Sequence, residues 1–279
     1  MTGDLKFHIE LKGGADLGRI ERSGQCFRWI PDGESYKIPA FGMLVKASPA
    51  KKGTDIEVLS RLKKGITEDH VKKLWSTYFD AELDYSGIRS MPDKNDAFLN
   101  KAAKKGDGIR IICQDPFETL ITFIISQRKS IPAIKTSVER ICSSVGRRIP
   151  GTDVFDFPTP RELSSLSFDE LLSCGLGYRA SYISSAAEAF DRRDMDAEAL
   201  SSMDDESLLQ TLMTLKGVGV KVANCTALFG FHRLDLFPID VWIQRALDKY
   251  YGGTFPLEKY HPYNGIMQQY IFAYRNELL

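Results

Sequence analysis

The period of the apolar residues changes once along this chain, near Thr67, and that single change constrains the fold more than any other feature. Before it, Leu5, Phe7, Ile9 and Leu11 alternate with polar neighbours, the two-residue period of a strand with one buried face. Phe27-Arg28-Trp29-Ile30, Tyr36 to Ile38, Phe41 to Lys46 and Asp55 to Leu59 are further strand-like runs, separated by Gly, Pro and Asp. The links between them are too short for crossover helices, so antiparallel pairing is expected. From Thr67-Glu68-Asp69-His70 onward the spacing is helical, with Val71, Leu74, Tyr78 and Phe79 on one face. Helices are expected at 95–105, 115–126, 131–145, 159–166, 168–174, 179–192, 205–214, 221–230, 240–250 and 263–275, with Pro116 and Pro132 suited to first turns. The expected class is α+β. An antiparallel β-rich domain with some helix, residues 1–106, precedes an all-helical domain, residues 107–279.

Charge excludes one simple explanation of any polyanion binding. Lys and Arg number 37 and Asp and Glu also 37, so attraction to a polyanion must come from a local patch. Arg128, Lys129, Lys135, Arg140, Arg147 and Arg148 make the helical part locally basic. A solvated helix surface accounts for them, as does partial use in phosphate contacts. Cys26, Cys113, Cys142, Cys174 and Cys225 are scattered and odd in number. That pattern fits reduced thiols and argues against a disulfide framework, a zinc site or a carboxyl-terminal iron–sulfur cluster. No apolar run is long enough to span a membrane, and residues 1–14 lack the core of a signal peptide. A cytoplasmic location is expected, with no cofactor and no side-chain metal site.

Leu215-Lys216-Gly217-Val218-Gly219-Val220-Lys221 joins two expected helices. Gly217 and Gly219 permit positive φ and close approach of a ligand. The helix beginning at Lys221 offers unpaired N–H groups and a positive dipole end, a ready site for a DNA phosphate. An ordinary tight helix–helix turn carries the same glycines. Spacing excludes a Walker loop. Lys221 reads either as a solvated or phosphate-bound cation or as a nucleophile. A helix amino terminus and partial burial both favour its neutral amine, which can form a Schiff base. Asp240, after Pro238, reads as a helix N-cap and as a carboxylate that stabilises positive charge developing on a sugar. The two readings are compatible.

Leu-Lys-Gly-Val-Gly-Val-Lys followed by Phe237-Pro238-Ile239-Asp240-Val241 resembles the helix-hairpin-helix, Gly-Pro-Asp DNA glycosylase superfamily. Three more segments resemble its 8-oxoguanine DNA glycosylases: Ser23-Gly24-Gln25-Cys26-Phe27-Arg28-Trp29, Asp115-Pro116-Phe117-Glu118 with Phe123-Ile124, and Gly175-Leu176-Gly177-Tyr178-Arg179-Ala180. The motifs are collinear over almost the whole chain. The resemblance implies a bifunctional glycosylase and abasic-site lyase acting on double-stranded DNA that contains 8-oxoguanine; nothing in the sequence requires more than a monomer, and no membrane partner is expected. Lys221 attacks C1′ of a flipped nucleotide, assisted by Asp240. It also implies that the Gly24 carbonyl accepts the N7 hydrogen, that Cys225 and Phe272 sandwich the base, and that Gln268 reads its Watson–Crick edge. Cys225 and Phe272 would be ordinary core residues in any helical fold. Gly217, Gly219, Tyr178, Arg179 and Arg128 are implied DNA contacts, Tyr178 as a wedge.

Three departures bear on specificity. Arg128-Lys129-Ser130 stands where the animal enzymes carry an asparagine run, Ala133 where they carry an arginine that contacts the opposite cytosine, and Trp242 where they carry a phosphate-contacting histidine. Arg179 is retained at the family's second cytosine-reading position, so lesion recognition is expected to be kept and opposite-base preference to be relaxed. Two rivals remain: a monofunctional alkylpurine glycosylase, which usually lacks the hairpin lysine, and a non-catalytic helix-hairpin-helix DNA-binding module, which needs neither Asp240 nor a pocket.

Overall fold

The computed structural model describes residues 5–63 and 65–278. Of the amino-terminal segment read as lacking a signal peptide, residues 1–4 lie outside the described residues. Five strands, β1 (Lys6–Glu10), β2 (Ile30–Asp32), β3 (Ser35–Ala40), β4 (Met43–Ala50) and β5 (Gly53–Arg61), form one antiparallel sheet in the order β1-β5-β4-β3-β2. Helix α1 (Leu17–Arg22) interrupts the strands, and α2 (Glu68–Tyr78), α3 (Tyr85–Arg89) and α4 (Ala97–Lys105) follow them. Then come α5 (Pro116–Ser126), α6 (Ile131–Val145), α7 (Pro160–Ser164), α8 (Phe168–Ser173), α9 (Ala180–Asp191) and α10 (Ala197–Ser201). The chain ends with α11 (Asp205–Met213), α12 (Val220–Phe229), α13 (Val241–Tyr250), α14 (Leu257–Tyr260) and α15 (Asn264–Ala273). The class is α+β, as expected. Among the described residues no helix is long and apolar enough to cross a membrane.

Period and capping explain these elements. Ile9, Ile38, Val45 and Ile56 come from alternating positions, and they bury with Val71, Trp75 and Tyr78 of α2 in one core. Thr67 caps α2 by accepting from the His70 N–H at 3.3 Å, and Asp115 caps α5 by accepting from the Glu118 N–H at 2.9 Å, with Pro116 in the first turn. From Phe117 to Ile125 α5 buries residues all round. A helix apolar on every side belongs in the middle of a core, and α5 packs there against α6, α9 and α12.

Residues 27–29 correct the strand reading, because β2 begins only at Ile30. Their side chains go to three different places. Phe27 meets the Phe123 ring edge-on at 5.6 Å, Arg28 donates to Glu139 at 2.9 Å, and Trp29 donates to the Tyr78 hydroxyl at 2.8 Å. Alternating apolar character here marks a crossing between two cores rather than a strand. Helices α1, α3, α10 and α14 also depart from expectation. None is longer than six residues, too short for a 3.6-residue period to repeat.

Two buried polar residues fasten the crossing. Arg110, fully buried, donates to the carbonyls of Phe79, Lys12, Gly14, Asp80 and Leu83, and lies 4.1 Å over the Tyr85 ring. Gln25 donates at 2.8 Å to the Ser23 hydroxyl and to the Arg110 carbonyl, and accepts from the Ile112 N–H at 2.8 Å. Its own carbonyl accepts from Gln114 at 2.7 Å. Every bond satisfies a group that would be costly to bury alone. Together they fix the loop that carries Gly24.

Candidate active site

A cavity of about 520 Å³ opens where that loop meets the ends of α5, α6, α12, α13 and α15, a size that accepts a nucleobase-sized ligand. Gly24, Arg128, Lys221, Cys225, Asp240, Gln268 and Phe272 all line it. These residues were singled out separately, from Gly24 near one end of the sequence to Phe272 near the other. Gly217, Gly219, Tyr178 and Arg179 lie outside its lining.

Backbone geometry sets the hairpin. Gly217 has φ +80°, and a Cβ there would overlap the Tyr182 ring, so both conformation and space demand glycine. The Gly217 carbonyl accepts from the Gln127 side chain at 3.1 Å. Gly219 is the N-cap of α12 and places no side-chain bond on the first turn, which leaves those N–H groups free for an anion. Lys221 follows in that first turn. It is half-buried, its Nζ lies 5.0 Å from the Phe123 ring centroid, and it hydrogen-bonds Cys225 one turn later. Burial pushes the Cys225 thiol up to about 11, while Lys221 pulls it down and Asp240 pushes it further up. At neutral pH this thiol is therefore protonated, an apolar wall rather than a nucleophile.

Asp240 is the N-cap of α13, accepting from the Trp242 and Ile243 N–H groups at 2.9 Å each. Both bonds fall on Oδ1, so the cap fixes the carboxylate while Oδ2 carries no hydrogen bond among the described residues. Across the cavity Gln268 is 4% exposed. Its Nε2 donates to the Pro238 carbonyl at 3.0 Å, and its Oε1 accepts from Gln269 at 2.9 Å, so its amide plane is held from both ends. Gly24 has φ +76°, and a Cβ there would stand 3.1 and 3.3 Å from the edge of the Phe272 ring.

On the flank nearest the hairpin the residues expected to contact DNA differ in exposure. Tyr178 is 51% exposed, on a turn where Gly175 and Gly177 both take positive φ. It meets Tyr182 edge-on at 5.8 Å. Arg179 is only 6% exposed, bonds the carbonyls of Gln127 and Leu176, and lies 4.4 Å over the Tyr178 ring. The side chain points into the protein and braces the turn that carries Tyr178. Arg128 has φ +51° at the cavity wall, a strained conformation for a non-glycine residue. The basic cluster is largely spoken for. Lys129 binds the Gly175 carbonyl and Ser137 at 2.6 Å each, and Lys135, Arg147 and Arg148 pair with Glu21, Glu162 and Asp153. Sequence reasoning also passed over Gln127. Its carbonyl holds Arg179 and its side chain holds Gly217, clasping the 175–179 turn and the hairpin together. Nothing in a lone glutamine signals such a bridge.

Residues 11–120 match the family model described as 8-oxoguanine DNA glycosylase, N-terminal domain, and residues 121–259 match the HhH-GPD superfamily base excision DNA repair protein model. A solved structure of Clostridium acetobutylicum 8-oxoguanine glycosylase/lyase, in complex with double-stranded DNA containing cytosine opposite to 8-oxoG, superposes with a TM-score of 0.85 at 30% identity, covering 99% of each chain. The chain belongs to the 8-oxoguanine DNA glycosylase family. Another member of similar fold, MBOgg1 in complex with a low affinity DNA ligand, gives a TM-score of 0.88 at 32% identity over 98% of this chain and 96% of that one. A relative from Methanothermobacter thermautotrophicus, named probable N-glycosylase/DNA lyase, is 31% identical over 207 residues, 66% of this chain and 64% of its own length. The chain thus spans just under two thirds of that relative.

Proposed function

We propose that this chain is a bifunctional DNA glycosylase and abasic-site lyase that excises 8-oxoguanine from duplex DNA in base-excision repair. The observation that carries the reading is the convergence of Lys221, Asp240, Gly24 and Gln268 on one nucleobase-sized cavity, beside a hairpin whose helix end is free for a phosphate. DNA backbone binds the α12 amino terminus, and Tyr178 enters the space that the flipped nucleotide leaves. The base enters between Cys225 and Phe272. The Gly24 carbonyl accepts the N7–H that 8-oxoguanine has and guanine lacks, a difference of about 1–3 kcal/mol in a buried site. Gln268, held at both ends, reads the Watson–Crick edge.

Chemistry then needs a nucleophile and a counter-charge. The Lys221 amine attacks C1′ as the glycosidic bond breaks, and the Asp240 carboxylate stabilises the positive charge that develops on the sugar. The resulting Schiff base acidifies the neighbouring C2′, and β-elimination cuts the strand on the 3′ side. One chain supplies every group, so a monomer suffices, and no cofactor is required. A cytoplasmic site of action, on the chromosome, suits the reaction. Incubating the protein in excess with a duplex carrying one 8-oxoguanine should release the free base and leave a nick at the lesion. A folded protein that releases no base from that duplex would refute the proposal.

A further inference from the structure

The carboxyl-terminal turn carries a cation that the reaction above leaves unused. Arg275 opens a 3₁₀ turn (Arg275–Leu278) directly after α15 and folds back on the cavity wall. Its guanidinium carbon lies 4.1 Å from the Phe272 ring centroid, and one Nη1–H donates to the Phe272 carbonyl at 2.8 Å. Two neighbouring cations are matched by carboxylates, Lys105 by Glu277 at 3.1 Å and Arg19 by Asp16 at 3.2 Å. Among the described residues Arg275 has no such partner, although the Asp240 carboxylate is near enough to act on it electrostatically. It is half-buried, and burial holds its pKa below the ordinary guanidinium range. An arginine remains charged even so.

Phe272 is thus pinned on three sides. Arg275 covers one face, the main chain is bonded to the same guanidinium, and the ring edge lies against Gly24. The ring also lines the cavity, so the face open to a purine is the one opposite the guanidinium. A base stacked there completes a sandwich of cation, ring and purine.

We propose that Arg275 is a positioning residue for base loss: it holds Phe272 for stacking and, through the ring, favours the negative charge that develops on the departing purine. The inference rests on the glycosylase reading above. When the bond from C1′ to N9 breaks, its electron pair stays on the purine, which leaves as an anion and then takes a proton from solvent. C1′ gains the Lys221 nitrogen, which passes its surplus proton to solvent. Negative charge appears on the base only in this step, so a cation behind the ring acts on the transition state more than on the bound substrate. During β-elimination the glycosidic bond is already broken, and Arg275 has nothing to favour.

The test compares two substrates under single-turnover conditions, a duplex with 8-oxoguanine and one with a preformed abasic site. Arg275→Met keeps a long apolar stem against Phe272 and removes the charge, and Arg275→Lys keeps a charge. Arg275→Met should slow base release on the order of tenfold and change abasic-site nicking less than about twofold. Arg275→Lys should recover most of the lost rate, with melting temperatures matching wild type. Equal slowing on both substrates would make Arg275 a general support or a DNA-backbone contact and overturn the proposal. Unchanged base release in Arg275→Met, or equal slowing in Arg275→Lys, would overturn it as well. Failure of the wild-type protein to release 8-oxoguanine is a different result, which overturns the glycosylase reading before any variant is compared.

Discussion

A single methyl group added at Gly24 probes lesion recognition apart from lyase chemistry. Gly24 sits at φ +76°, and a Cβ would lie 3.1 Å from Phe272 Cε1 and 3.3 Å from Cζ. Ordinary van der Waals contact begins near 3.4 Å, so the ring or the loop must give by a few tenths of an ångström. The ring has little room to retreat, because Arg275 stacks 4.1 Å behind it. The loop is held too, by the Gln25 bonds to Ser23, Arg110 and Ile112. Left-handed backbone costs a non-glycine residue about 1–2 kcal/mol. That loss lowers the melting temperature by about 2–4 °C per kcal/mol in a chain of this size. Displacing the Gly24 carbonyl from the N7–H removes a bond of about 1–3 kcal/mol, which slows base release roughly five- to 150-fold. In the assay, Gly24→Ala and wild type are compared on an 8-oxoguanine duplex and on a preformed abasic duplex, with melting temperatures measured alongside. Nicking of the abasic duplex should survive, since it needs Lys221 and not Gly24. Base release at the wild-type rate would refute the recognition argument, and equal loss on both substrates would show that the substitution acts through the fold.

Three further outcomes follow from the same structure. Gly217→Ala, which puts a Cβ into the Tyr182 ring at φ +80°, should weaken binding to an abasic-analogue duplex by about tenfold or more in a fluorescence titration; unchanged affinity would mean the hairpin does not hold the backbone. Burial pushes the Glu118 carboxyl from 4.5 up to about 8, with the Arg28 charge opposing. The folded state then binds more protons between those two values, so stability falls as pH rises through that window and levels off above it. Glu118→Gln should abolish the fall, and its melting temperature relative to wild type should rise from pH about 5 to about 9; parallel curves would contradict the burial argument. With alanine at position 133 and Arg179 turned inward, excision opposite C, A, G and T should differ by no more than about tenfold, and a strict requirement for cytosine would sink that expectation.

Sequence revealed the order of the fold because two periods, two and 3.6, survive in one dimension. It revealed helix starts because caps are local: Thr67, Asp115 and Asp240 each bond N–H groups two or three residues ahead. Lys221 and Asp240 were legible for the same reason, each fixed by its own turn. What escaped depends on partners far along the chain. Phe27-Arg28-Trp29 reads as a strand until three distant partners claim its side chains. Arg179 reads as a DNA contact, and nothing local signals that the Gln127 carbonyl draws its side chain inward. Four of the six clustered basic residues read as a DNA face but have internal partners. Arg275 signalled nothing, because its meaning lies in a ring stacked beneath it.

The central claim is that Lys221 forms the covalent link to DNA, and borohydride trapping measures that directly. Wild-type protein, an 8-oxoguanine duplex and borohydride should give a protein–DNA adduct on a denaturing gel, with peptide mapping placing it on Lys221. Lys221→Gln should give none. An adduct in Lys221→Gln at the wild-type yield, or one mapped to another residue, would contradict the claim.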